Sequence, residues 1–69
     1  MIINNLTKAV KNSPYKREFI QKELGISRNT LSNWCTGKTY PSIPQALKLA
    51  SILNVRIDDL YQIKEEKLD

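Results

Sequence analysis

Five residues punctuate this chain: Gly25, Gly37, Pro14, Pro41 and Pro44. All of them fall between stretches whose apolar side chains recur at helical spacing. Glycine just past a helix and proline near the start of the next are the signals of short helices joined by tight turns. No two-residue alternation is long enough for a convincing strand, and there is no repeat or low-complexity tract. The expected architecture is all-α, a compact bundle of five short helices forming one domain over residues 1–63, with a charged tail at 64–69. A chain of 69 residues buries only about 60% of the surface its unfolded form exposes. That leaves room for a minimal core and one binding surface, not for a deep cleft beside a second sensing domain.

The first segment, roughly 3–12, places Leu6 and Val10 one turn apart, with Ile3 a turn earlier. Ser13-Pro14 breaks it and also reads as a cap and first helical residue, so a second helix is expected from about 14–17 to Leu24, with Ile20 and Leu24 on one face. Gly25 suits a left-handed turn, Ile26 is an apolar plug, and Ser27 is an N-cap for a third helix, Arg28 to Thr36, closed by Gly37. After a loop over 38–42, Pro44 suits the first turn of a fourth helix, about Ile43 to Leu53, which repeats Ala46, Leu49, Ala50 and Leu53 on one side. Asn54 tolerates the left-handed conformation that ends it. A short fifth helix is expected near Asp58, with Asp58 and Asp59 favourable at its positive end and Leu60, Tyr61 and Ile63 on its apolar side. The tail from Lys64 is expected to fray.

The composition argues against several classes of function. The chain has no His and a single Cys, Cys35, so neither an internal disulfide nor a zinc site is expected. Without a cofactor motif or paired carboxylates at a cleft, no catalytic residue, metal or cofactor is assigned, and the chain does not read as an enzyme. A small domain without staples must rely on packed helices, which points to the reducing cytoplasm. No apolar run approaches the roughly 20 residues of a membrane span. Met1 to Leu6, two isoleucines followed by polar residues, does not read as a signal peptide. The net charge of +4 is uneven, because residues 1–40 carry +5 and residues 41–69 carry −1. A basic N-terminal part fits a polyanion partner, although a solvated surface explains the charge equally well.

The third helix discriminates between these. At about 100° per residue, with Arg28 at 0°, Ser32, Thr36, Asn29 and Asn33 fall between about 40° and 140°, while Leu31, Trp34 and Cys35 fall between about 240° and 340°. One face can pack; the other presents Arg, two Asn, Ser and Thr without an acid. Arg can donate two hydrogen bonds to guanine O6 and N7, Asn can bond adenine N6 and N7 in both senses, and Ser and Thr are adaptable. An ordinary solvated face carries Glu and Lys, and two Asn lower helix propensity without benefit to a mere surface. Base readout is the better account. Residues 17–34, a helix, a Gly25-containing turn and a second helix led by Ser27, fit a helix-turn-helix.

These residues resemble the Xre family, the Cro/cI-type helix-turn-helix of bacterial and phage regulators. The resemblance rests on Ile20, Leu24-Gly25-Ile26-Ser27-Arg28, Thr30-Leu31-Ser32-Asn33-Trp34, Gly37-Lys38, Tyr40-Pro41-Ser42, Leu49-Ala50, Leu53 and Ile57-Asp58-Asp59-Leu60, and it covers about residues 5–63. It implies a lambda-repressor-like bundle whose third helix enters the major groove. It implies base contacts from Arg28, Asn29, Ser32 and Asn33. It also implies DNA backbone contacts from Arg17, Ser27, Lys38, Thr39, Tyr40 and Ser42. The chain departs from the family at Arg17, where Gln is common, at Lys16, where a Ser or Thr cap is common, and at Gln21, where a small Ala is common.

Trp34 and Cys35 lie on the apolar side of the third helix and read as packing residues. Tyr40 reads equally as a packing residue or a phosphate contact. Tyr61, Ile63 and Leu68, with Ile2 and Ile3, could form a dimer surface or seal the base of the core. Together these readings give a sequence-specific regulator that binds double-stranded DNA in the cytoplasm, at the nucleoid. A Cro-like repressor of phage or mobile-element type fits best, acting by occupying its operator. Dimerisation on an inverted repeat with half-sites about 34 Å apart is expected, with a protein partner as a further means of control. The competing reading is a protein-interaction module, antirepressor or antitoxin-like, that keeps the fold.

Overall fold

Left-handed residues end three of the helices and set the path of the chain. In the computed structural model, which describes residues 2–64, the helices are α1 (Leu6–Asn12), α2 (Arg17–Leu24), α3 (Arg28–Thr36), α4 (Ile43–Leu53) and α5 (Ile57–Leu60). Gly25 (φ 65°), Gly37 (φ 79°) and Asn54 (φ 56°) follow α2, α3 and α4. Each helix closes with a Schellman pair of bonds. Gly25 N–H donates to Lys22 O at 3.2 Å and Ile26 N–H to Gln21 O at 3.0 Å. Gly37 and Lys38 repeat this onto Trp34 O (3.3 Å) and Asn33 O (3.0 Å), and Asn54 and Val55 onto Ser51 O (3.2 Å) and Ala50 O (3.0 Å). After Gly25 and Asn54 the chain folds an apolar residue, Ile26 or Val55, back onto the core. After Gly37 the same position is Lys38, which is exposed.

Serine caps fix the starts of α3 and α4. Ser27 Oγ accepts from Thr30 N–H at 3.1 Å. Ser42 Oγ accepts from Gln45 N–H at 3.3 Å while Gln45 Oε1 accepts from Ser42 N–H at 3.0 Å, a complete capping box. Each such cap contributes about 1 kcal/mol. Every helix then supplies one wholly buried side chain: Leu6, Ile20, Leu31, Leu49 and Leu60. Val10, Trp34, Ala50 and Leu53 complete the cluster.

Two expectations need correction. Residues Ile2–Asn4 and Tyr61–Ile63 are strands, β1 and β2, paired antiparallel with Ile2 opposite Ile63 and Asn4 opposite Tyr61. Three-residue strands carry no readable alternation. They form because the helices bring the two segments together, and Asn5 N–H continues the connection to Leu60 O at 2.8 Å. For the same reason α1 begins at Leu6 rather than Ile3, and α5 stops at Leu60, so Tyr61 and Ile63 belong to the ribbon and not to a helix face. Within the 14–17 range expected for its start, α2 begins at Arg17, because Ser13 Oγ donates to Val10 O at 2.8 Å and closes α1 instead of capping α2. Met1 and the tail from Glu65, including Leu68, lie outside the described residues.

Candidate nucleic-acid interface

The α2–turn–α3 unit is held from inside by Ile20 and Leu31, both fully buried, and by Ile26 in the turn. That packing presents the opposite side of α3 to solvent. Arg28, Asn29 and Thr36 are exposed there, and Ser32 and Asn33 are half-buried beside them. Leu31 and Trp34 are buried and Cys35 is half-buried on the inner side, so α3 is divided as its periodicity predicts. Among the described residues, neither the Arg28 nor the Asn29 side chain is held by a hydrogen bond or ion pair. Both are free to bond an external edge.

Arg17 opens α2 and reaches across to α3. Its Nη2 donates to Ser32 Oγ at 3.3 Å and faces Cys35 Sγ at 3.9 Å. Arginine carries five N–H donors, so the guanidinium keeps donors to spare at the exposed side. Of the residues expected at the DNA backbone, Ser27 shares a 3.0 Å bond with Thr30 Oγ1 and remains exposed beside α3. Lys38 and Thr39 are exposed, with both backbone N–H groups tied to Asn33 O. Tyr40 packs edge-on against Tyr61 at 5.9 Å between ring centroids and stays half exposed. Ser42 spends its hydroxyl inside the capping box, since Oγ also donates to Gln45 Oε1 at 3.0 Å.

Sequence reasoning missed the residue that anchors the far end of α3. Asn4 Nδ2 donates to Trp34 O at 2.8 Å while its Oδ1 accepts from Leu6 N–H at 3.0 Å. Thr7 adds a weaker bond from Oγ1 to Cys35 O at 3.3 Å. Asn4 and Trp34 are 30 positions apart, and no local pattern signals such a contact. A second group was also overlooked. Lys11 and Lys16 line a surface cavity of about 420 Å³ with Arg17, Thr7 and Cys35, extending the basic rim from α3 to the end of α1.

The electrostatics follow from what is left unpaired. Among the described residues the one ion pair is Arg56–Asp58 at 3.9 Å, exposed and far along the chain from the basic segment. Among the described residues, none of Lys8, Lys11, Lys16, Arg17, Lys22, Arg28 and Lys38 is in an ion pair. The Tyr61 phenol is strongly perturbed. Burial first, then repulsion from the ionised forms of Cys35 and Tyr40, pushes its phenol up to about 12.

A recognition helix clamped at both ends, crossing a shorter helix through a three-residue Gly turn, defines a helix-turn-helix domain. The family model described as helix-turn-helix matches residues 15–60. Two uncharacterized helix-turn-helix-type transcriptional regulators of Archaeoglobus fulgidus are 36% and 35% identical to this chain over 52 residues, covering 75% of it and 74% and 73% of their own lengths. A similarly described regulator of Methanocaldococcus jannaschii is 33% identical over 51 residues, 74% of this chain and 77% of its own. A crystal structure of a Bacteroides fragilis protein, provisionally described as DNA-binding, matches with a TM-score of 0.81 at 29% identity, over 90% of this chain and 100% of that one. The chain belongs to the helix-turn-helix family. Among the described residues no helix is long and apolar enough to cross a membrane.

Proposed function

We propose that this helix-turn-helix protein is a transcriptional regulator that reads double-stranded DNA by inserting α3 into the major groove. The observation that carries the reading is the outer face of α3: Arg28 and Asn29 exposed and unengaged among the described residues, no acid beside them on the helix, and both helix ends fixed by the fold. Arg17, Ser27, Lys38, Thr39 and Tyr40 flank that face and supply phosphate contacts, which position the domain while the bases specify the site. Ser42 contributes through its cap at the start of α4 rather than through a free hydroxyl. Repression by operator occupancy, in the manner of Cro, is the simplest mechanism for a domain with one binding surface. Dimerisation on an inverted repeat fits the family geometry, and Ile2 opposite Ile63, both exposed at the open end of the ribbon, offers an apolar surface for it.

The protein-interaction alternative has one observation in its favour. Ile43 and Leu47, one turn apart on α4, are 77% and 56% exposed. They lie on α4 and not on the polar face of α3.

Selection from a randomised duplex pool at near-physiological salt tests the proposal. A short enriched motif is expected. Arg28→Ala or Asn29→Ala should then cost roughly 1–3 kcal/mol on that motif and relax the preference at one base pair. An unenriched pool, or an equal loss by these variants on every sequence, would contradict base reading.

A further inference from the structure

The Arg17–Ser32 contact bears on how one base is chosen. A serine hydroxyl has one proton and two lone pairs, so it can donate or accept with equal ease and on its own discriminates poorly between bases. In this fold it is not on its own. Arg17 is a pure donor, and its Nη2 sits 3.3 Å from Ser32 Oγ. The second approach of the same nitrogen, to Cys35 Sγ at 3.9 Å, holds the guanidinium against this turn of α3. One lone pair of the hydroxyl is thereby occupied by a cationic donor. Chained hydrogen bonds polarise one another, and a charged donor does so most strongly. The Ser32 O–H becomes a better donor and its remaining lone pair a poorer acceptor.

We infer that Arg17 fixes the sense of the Ser32 hydrogen bond, so that Ser32 donates into the major groove and selects a base with an acceptor edge against cytosine. Guanine, adenine and thymine present N7, O6 or O4 acceptors there, whereas cytosine presents its N4 amino donor. Arg17 is thus a specificity-determining residue that acts through Ser32, in addition to any phosphate it binds with its other N–H groups. This rests on the DNA-reading function proposed above.

The test compares enrichment profiles of the randomised duplex pool for the wild-type chain, Ser32→Ala, and Arg17→Met with Arg17→Ala in parallel. Arg17 is exposed, so both substitutions leave the buried cluster untouched; thermal melts monitor folding. Ser32→Ala identifies the base position that Ser32 reads. At that position the wild-type chain should deplete cytosine about fivefold, the effect of one net hydrogen bond. Both Arg17 variants should bring that depletion below about twofold while leaving the preferences opposite Arg28 and Asn29 in place. Three results overturn the inference: no position responding to Ser32→Ala, no cytosine depletion in the wild type there, or depletion persisting without the guanidinium. An unenriched wild-type pool would instead remove the DNA-reading function itself.

Discussion

Substituting Asn4 tests whether the terminal ribbon fixes the far end of α3. The Asn4 amide uses both of its functions, Nδ2 donating to Trp34 O at 2.8 Å and Oδ1 accepting from Leu6 N–H at 3.0 Å. Asn4→Asp keeps the acceptor and replaces the donor by an oxygen facing a carbonyl. The shape is unchanged, so the loss reports the Trp34 bond and a repulsion in its place. Leaving one partner of a buried hydrogen bond unsatisfied costs about 1–3 kcal/mol, and a half-buried position belongs in the lower part of that range. A domain of 69 residues has roughly 3–10 kcal/mol of total stability by the usual per-residue figure, so the effect is a substantial fraction of the whole. Trp34, 3% exposed, is the only tryptophan in the chain and reports unfolding in urea directly. With a slope of about 1 kcal/mol per molar urea, the midpoint should fall by about 1–2 M. Acidification, which protonates the new carboxyl and restores a donor, should recover part of the loss. A shift below about 0.3 M at neutral pH would refute the clamp. So would a loss in Asn4→Asp no larger than in a substitution at the exposed Thr36.

Two further expectations concern other parts of the surface. The folded Tyr61 phenol is raised from the ordinary 10.0 to about 12, so the folded state holds its proton where the unfolded state has released it. Its stability contribution is present in full below pH about 10 and is lost as pH rises to about 12. Among the described residues the buried hydroxyl has no hydrogen-bond partner, so Tyr61→Phe should leave neutral-pH stability unchanged or raised and flatten the alkaline loss. Urea midpoints measured at several pH values check this, and an unaltered alkaline loss in Tyr61→Phe would assign it to another group. Lys38→Gln should weaken binding on every duplex and make the salt dependence shallower by about 0.9 unit, one phosphate contact, without altering the sequence profile. An unchanged slope would take Lys38 out of the phosphate footprint.

What was legible in the sequence follows from the range of each interaction. The cap at Ser27, the left-handed ends at Gly25, Gly37 and Asn54, and the two faces of α3 are all decided within a few residues, and the structure has them where the spacing puts them. The ribbon was not legible, because each strand is three residues long and exists only after five helices have brought its halves together. Ser13 was ambiguous for a different reason. The same hydroxyl can close the helix before it or cap the helix after it, and Val10 O, in the turn just completed, is the partner it meets. The Asn4 clamp and the Arg17–Ser32 contact join residues 30 and 15 positions apart, so only the folded chain shows them.

The most informative departure from local rules is the one at Lys38. Three helices end in the same backbone motif, and the position after the left-handed residue ordinarily folds an apolar side chain onto the helix just completed. Ile26 and Val55 do so and join the core. Lys38 forgoes that contact and projects from the end of α3 beside Thr39 and Tyr40. An apolar residue at 38 would satisfy the motif, and the bond from Lys38 N–H to Asn33 O at 3.0 Å is made whatever the side chain is. The fold gains from a lysine there only the weak attraction of a cation to the helix C-terminus, about 0.3–1 kcal/mol at an exposed site. Positions where a chain sets aside a local preference for so small a structural return are where function is expected. This one lies at the C-terminal end of α3, where a charge can follow the helix toward a phosphate.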